Sequence, residues 1–429
     1  MKKSALLLVL GTLMFALVAC GDSEPSGPPV FTFATWAAGP ELTELRAVVA
    51  RVNEKAAGEF TIQINSIPSN YYQQIAVLIG GRQAPDMFWL TQELIPKYAF
   101  DLNTIVDVTD SLTNSEALPL DAYYEGVIES AYYNGSYWGL PWIANPIIIY
   151  YNKTLFDNAG IPYPSATDDW DWNEFIAISE QLTGTLNHRG EKVFGTVIDG
   201  WPNIETFIWA GGGDIIDEDY QTITLDSDAS LAGLGLLKSI LDKGLSPSYS
   251  EVRSLGGNNV WFERSRVAMF MGGAQDNFEI KVDDMSEADA FEIGYAPLPT
   301  NLDGSRSSFN WTASTVLHKS HQDNPLAYKA LEMLTLEIFE WKIAPPIRGS
   351  IENIRTINPS KIAAMETIEF TLEFARSGYY IPEWDGISGI NHRLWYDLYF
   401  EMIQNPDFDY RSAVDDIAAF SRNLIDQRP

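Results

Sequence analysis

The residues that could do chemistry in this chain are aromatic and polar rather than nucleophilic. Trp36 follows a strand-like run, Trp142 stands beside a Gly-Leu-Pro break, Trp209 precedes Gly211-Gly212-Gly213, Trp311 lies in a later polar stretch, and Trp384 sits between Glu383 and Asp385. Indole faces cover the apolar C–H face of a pyranose, and planar polar side chains bond its hydroxyls in pairs. Trp36, Trp209, Trp311 and Trp384, with Trp89, Trp142 and Trp201 behind them, are therefore candidate ring contacts, each with a buried core position as its alternative. Asp86, Asn145, Asp276 and Arg348 are the polar candidates. Asp86 could equally cap or turn the backbone, and Arg348 could pair with a surface carboxylate. Gly212, Gly213, Gly272 and Gly273 would let backbone approach a ligand, or simply make turns. Trp170, Trp172, Trp341 and Trp395 fall in helical patterns and read as packing.

Reactive constellations are missing from the sequence. The histidines are His188, His318, His321 and His392; the pair at 318 and 321 has no third ligand nearby and no HExxH helix, so it reads as solvated and no metal is expected. No Gly-x-Ser-x-Gly elbow occurs, and with 58 acidic residues a pair of carboxylates carries no information about glycoside hydrolysis. The acidic run from Asp214 to Asp219 lacks EF-hand spacing and reads as a solvated hairpin. The expectation is no catalytic residue and no cofactor. A net charge of −30, from 28 basic and 58 acidic residues, repels nucleic acid and anionic headgroups alike.

The elements that must position these residues begin after an export signal. Lys2 and Lys3 precede an apolar run from Ala5 to Val18, and Leu17-Val18-Ala19-Cys20 resembles the bacterial lipobox. Residues 1–19 read as a signal peptide, Cys20 as the lipid-bearing residue and 20–29 as a tether; with one cysteine there is no disulfide. Near 400 residues remain, too many for one ordinary core, which suggests two lobes. Strand, helix and strand patterns at 30–34, 40–52 and 60–64, then a helix at 71–79 and a strand at 87–90, imply βαβ units in a parallel sheet, with ligand contacts beyond the strands' carboxyl ends. A lobe crossover is expected near Leu140 to Pro146, followed by a buried strand at 147–151, helices at 172–182, after 203 and at 228–244, and strands at 193–197, 267–271 and 291–295. A helix capped before Pro325 and a mainly helical remainder complete the pattern.

Gly139-Leu140-Pro141-Trp142, then Tyr150-Tyr151-Asn152-Lys153-Thr154-Leu155-Phe156, Ala159-Gly160-Ile161 and Trp172-Asn173-Glu174-Phe175 resemble, in order and spacing, the family 1 extracellular solute-binding proteins of carbohydrate ABC importers. Phe207 to Gly213, Phe262 to Gly273, and Tyr295-Ala296-Pro297-Leu298-Pro299 leading to Asn310-Trp311-Thr312-Ala313-Ser314 are similar to further landmarks. Ser265 where that family usually has Gly, and no Trp after Gly272-Gly273, are departures. The resemblance implies an α/β, periplasmic-binding-protein-like fold of type II, with two α/β lobes, a hinge and an interlobe ligand cleft. The lobes are expected over 30–142 with 307–360 and over 143–306 with 361–429. It further implies a small, carbohydrate ligand and ABC importer permease subunits as partners, for a monomeric extracytoplasmic protein that touches the membrane only through its lipid anchor; the alternatives are the same scaffold with a non-sugar solute such as a polyamine, and a surface-anchored glycoside hydrolase.

Overall fold

The computed structural model describes residues 27–167, 170–286, 289–342 and 345–428; the expected signal peptide, Cys20 and most of the tether lie outside the described residues. The chain opens as β1 (Val30–Thr35), α1 (Gly39–Lys55), β2 (Thr61–Ser66), α2 (Tyr71–Gly80) and β3 (Met87–Thr91). Pro40 in the first turn is compatible with helix geometry, and α1 buries Leu45, Val48, Val49 and Val52, one stripe of a 3.6-residue period. β1 pairs in parallel with both β2 and β3. Downstream come β4 (Leu140–Asn152), α3 (Trp172–Leu182), α4 (Ile204–Ala210), α5 (Asp228–Asp242), β5 (Met269–Gly273), β6 (Ile293–Ala296), β7 (Ser308–Leu317), α6 (Pro325–Phe339), β8 (Ala375–Arg376) and α7 (Tyr410–Asp426). The caps follow local chemistry: Asp171 and Glu174 form a capping box on α3, Ser227 caps α5 and Asn324 caps α6.

The sheet runs β2-β1-β3-β7-β4-β5, with β6 also on β4 and β8 also on β7. Only its first three strands and the β7–β8 pair are parallel; β7 is antiparallel to β3 and β4, and β4 is antiparallel to β5 and β6, so the expected parallel sheet is a mixed one. Residues Leu140 to Pro146, where a lobe crossover is expected, form the first half of the continuous β4; that half pairs with β7 and the second half with β5 and β6. β7 has no apolar signature, because Ser308, Asn310, Thr312, Ser314 and Thr315 read as loop, yet all five are at most 2 % exposed. They can be buried because a strand between β3 and β4 has its backbone groups satisfied on both sides and because Ser308, Asn310 and Thr312 bond through their side chains, although the Thr315 hydroxyl has no partner. The expected strand at 193–197 is reduced to one bridge, Phe194 with Val267.

Apolar burial falls into two clusters. One holds Phe33, Val49, Phe88, Leu331 and Ile338, the other Ile149, Phe207, Leu234, Leu237, Met271 and Leu398; Trp138, Trp201 and Trp311 pack against both. Among the described residues no helix is long and apolar enough to cross a membrane.

Candidate functional site

A cavity of about 640 Å³ opens where β4 and β7 run together. Ile143 and Asn145 of β4, Trp311 of β7, Glu44 of α1, Gln275 and Asn277 after β5, Glu340, Trp341 and Lys342 beyond the end of α6, and Thr356 to Asn358 form its walls. Trp341 is held from two sides: its Nε1 donates to Glu44 at 2.8 Å, and the Lys342 ammonium stands 3.8 Å from its ring centroid while pairing with Glu41 at 2.9 Å. Asn145 is fixed by its N–H on Asn310 Oδ1 (2.8 Å) and its Oδ1 under the Gln275 N–H (2.9 Å). Asn358 donates to Asn277 Oδ1 at 2.7 Å. The Gln275 Nε2 amide is buried without a partner. A buried donor left unbonded is a standing penalty that a ligand oxygen relieves. Indole faces and four planar amides thus place apolar surface beside paired donors and acceptors in one cavity.

Trp36 stands behind this wall, partly buried, 6.4 Å from Trp311 and 4.8 Å from Trp89 between ring centroids. Several sequence candidates are placed elsewhere. Trp89 and Trp142 are core rings, 0 % and 1 % exposed and stacked 4.2 Å apart. Trp209 is buried against Phe309 at 5.9 Å, with its Nε1 on Asp214 and the Arg376 guanidinium over its face. Trp384 is buried on Tyr380 at 4.8 Å. Their indoles carry too much apolar area to stay in loops when a core is within reach. Trp201 donates its Nε1 to Met271 O at 2.7 Å between the two clusters. Arg348 pairs with both Glu373 oxygens at 2.6 Å and lies over Tyr124, a surface ion pair. Asp276 turns inward, its Oδ2 accepting the Gly273 N–H at 3.0 Å, and burial pushes its carboxyl up to about 6; its neighbours Gln275 and Asn277 face the cavity instead. Gly272 and Gly273 are buried within β5, where a side chain on Gly273 would meet the Asn145 amide within 2.6 Å, so this glycine makes room for a cavity residue. Gly212, at φ +80°, abuts Asp303, and Gly213 lies against Ser230. A larger concavity, about 990 Å³, lies among Asp107, Ser136, Lys319 and Tyr328, where Asp107 accepts from the Thr109 N–H and the Ser136 hydroxyl.

The family described as bacterial extracellular solute-binding protein matches residues 39–337. The chain belongs to that family. A Brucella abortus (strain 2308) relative, whose name goes no further than a binding protein, is 25 % identical over 312 residues, 68 % of this chain and 72 % of its own. Among solved structures, the sugar-binding protein MalE of Xanthomonas citri superposes with a TM-score of 0.73 at 18 % identity, covering 93 % of this chain and all of the other. An ABC substrate-binding protein of Listeria monocytogenes in complex with cycloalternan gives 0.72 at 18 %, covering 94 % and 100 %. These likenesses establish the fold: this solute-binding protein has the two-lobed type II architecture expected from its sequence.

In this solute-binding protein Asp86 proves to be a structural pin. It precedes β3, at the amino end, opposite the carboxyl ends where ligands gather. Its Oδ2 takes the Thr32 N–H at 2.6 Å and hydroxyl at 2.7 Å, and its Oδ1 meets His321 Nε2 at 2.6 Å, so His321 is also not the solvated residue expected. Burial alone would raise this carboxyl, but the bonds from Thr32 and His321 outweigh it and hold it below the usual range. Such a group stabilises above its unfolded pKa and loses that contribution as pH falls through its folded one. Asp86→Ala should cost about 1–3 kcal/mol at pH 7 by leaving the Thr32 N–H unbonded. Urea unfolding checks this, and a penalty that persists unchanged at pH 2 would contradict it. Glu44, Gln275, Asn277, Trp341, Lys342 and Asn358 escaped the sequence reading. Trp341 looked like packing because it continues the helical period of α6, although the helix stops at Phe339.

Proposed function

We propose that this solute-binding protein captures a sugar or oligosaccharide in the 640 Å³ cavity and delivers it to the permease of an ABC importer, acting without catalysis as a monomer tethered to the outside of the cell membrane through a lipid on Cys20. The observation that carries this reading is the unpartnered Gln275 Nε2 beside Trp311 and Trp341: a donor for a hydroxyl next to indoles for a ring face. The sugar-binding name of the Xanthomonas citri neighbour and the cycloalternan of the Listeria monocytogenes complex support it. With lobes over 30–142 with 307–360 and over 143–306 with 361–429, Glu44, Trp341 and Lys342 belong to one wall and Gln275 and Asn277 to the other, so closure about β4 and β7 would bring both onto the ligand. One observation favours a second reading, an amine-bearing solute: the Glu340 carboxylate in the same cavity has no hydrogen-bond or ion-pair partner among the described residues.

Thermal unfolding of the chain from residue 21 against mono-, di- and oligosaccharides, polyamines and amino acids tests both. A ligand at a hundredfold over its Kd adds about 2.7 kcal/mol, a shift of several degrees. Stabilisation by one sugar class alone supports the first reading; silence from every sugar with a polyamine response that Trp341→Ala abolishes replaces it by the second. For the ligand so found, Trp311→Ala and Trp341→Ala should each weaken binding about 30-fold or more by calorimetry, the loss of about 2 kcal/mol typical of a buried aromatic anchor. Unchanged affinity in both variants would place the ligand elsewhere.

A further inference from the structure

Away from this cavity, Ser377 and Tyr379, just after β8, form a groove of about 370 Å³ with Tyr132 and Tyr220. Its aromatic wall is preset: Tyr220 is edge-on to Tyr379 at 5.6 Å and to Tyr133 at 5.1 Å, and its hydroxyl donates to Tyr132 O at 3.4 Å. Its charges are all negative, from Glu129, Glu218 and Asp219, and no basic side chain lines it. Asp219 is occupied by the Thr222 hydroxyl and the Gln221 and Thr222 N–H groups of its own turn. The carboxylates of Glu129 and Glu218 have no hydrogen-bond or ion-pair partner among the described residues; the nearby Arg376 guanidinium is paired with Asp214 and lies over the faces of Trp209 and Tyr379. A second observation is independent of this charge: Ser377, 7 % exposed, lines the groove with an Oγ that bonds nothing. Burial, with the charges of Glu125 and Glu218 beside it, holds the Glu129 carboxyl above the ordinary range even though the Arg376 cation acts to lower it.

We propose that this groove is a second ligand site, for a small molecule bearing a protonated primary amine. The ammonium carries three N–H donors on a compact cation. Glu129, Glu218 and the Ser377 hydroxyl supply three acceptors, and the phenol rings of Tyr220 and Tyr379 supply an apolar wall for the alkyl chain. A neutral sugar leaves both carboxylates without a counter-charge, and an anion is repelled by them. The site does not depend on what the larger cavity binds.

The test is ligand-observed NMR titration of the chain from residue 21 with n-butylammonium chloride, ionic strength held constant with sodium chloride. One saturable site is expected, weakened about tenfold or more in Glu129→Gln/Glu218→Gln and in Tyr379→Leu, and unchanged in Trp341→Ala. Thermal unfolding midpoints within a degree or two of the parent identify the variants that are folded, and the conservative glutamines keep one readable if the leucine does not fold. Absence of saturation at matched ionic strength overturns the proposal, because the net charge of −30 then explains any attraction. An isotherm unchanged in the glutamine variant, or one abolished by Trp341→Ala, overturns it equally and moves the amine to the larger cavity.

Discussion

Lys361→Met is expected to destabilise the protein by about 3–5 kcal/mol, and Lys361→Met/Glu279→Gln to recover most of that loss. Lys361 has no exposed side-chain surface, and its ammonium reaches Glu279 Oε1 and the Tyr150 hydroxyl, both at 2.9 Å. Tyr295 donates to the same Glu279 oxygen at 2.7 Å, and Glu279 Oε2 is already buried without a partner. Removing the cation alone leaves a desolvated carboxylate with one phenol to hold it. Neutralising both members leaves a glutamine that still accepts from Tyr295, and methionine fills the volume of the lysine stem. Chemical denaturation of parent, single and double variants reads this directly. A single-variant penalty under about 1 kcal/mol, or a double variant no better than the single, would show that the pair is not the buried linkage described. The effect reaches the cavity, because Asn358 lies three residues before Lys361 and Asn277 two residues before Glu279, and these amides bond each other in its wall. Ligand affinity should therefore fall in the single variant and return in the double.

The sequence made some of this legible for local reasons and hid the rest for tertiary ones. β1, α1, α2, α3, α5 and α6 carry their own periods, caps or prolines, so each could be placed before the fold was known. β7 could not, since its burial comes from neighbours on both sides and its own residues are polar. The same difference separates the site residues. Asn145 and Trp311 flank the β4–β7 crossing and were named. Trp142 stands beside a Gly-Leu-Pro break and Trp89 near the end of a strand-like run, both candidate site positions, but only the third dimension shows them stacked face to face in the core. Gln275 and Asn277 were missed on either side of Asp276 because a two-residue alternation in a turn decides which side chain looks inward, and charge alone pointed to the wrong one. Trp341, Glu44 and Lys342 belong to elements almost 300 residues apart in sequence, joined only by the packing of α1 on α6.

Glu205→Gln should make the protein more stable at pH 8 and leave it unchanged near pH 4.5. Glu205 sits in the first turn of α4, 6 % exposed, and burial pushes its carboxyl up to about 7, against a bond from its own N–H, with Asp214 and Glu93 adding to the rise. An acid whose folded pKa is raised keeps its proton in the fold over a range where the unfolded chain has lost it. The folded state then binds more protons between the unfolded value near 4.5 and the folded value near 7, so stability falls as pH rises through that window. A rise of that size corresponds to at most about 3 kcal/mol, fully expressed only above pH 7. Asp276, pushed up to about 6, adds a slope of the same sign over a lower window. The glutamine variant removes the Glu205 contribution and keeps the shape, so its stability curve should run flatter from pH 5 to pH 8 while the Asp276 slope remains. Urea unfolding at half-unit steps across that range decides it: a variant less stable than the parent at pH 8, or a gap that persists at pH 4.5, would mean that Glu205 is ionised in the fold and held by a partner. If the two stability curves meet near pH 4.5 and part above it, the carboxyl is a neutral core residue at acid pH.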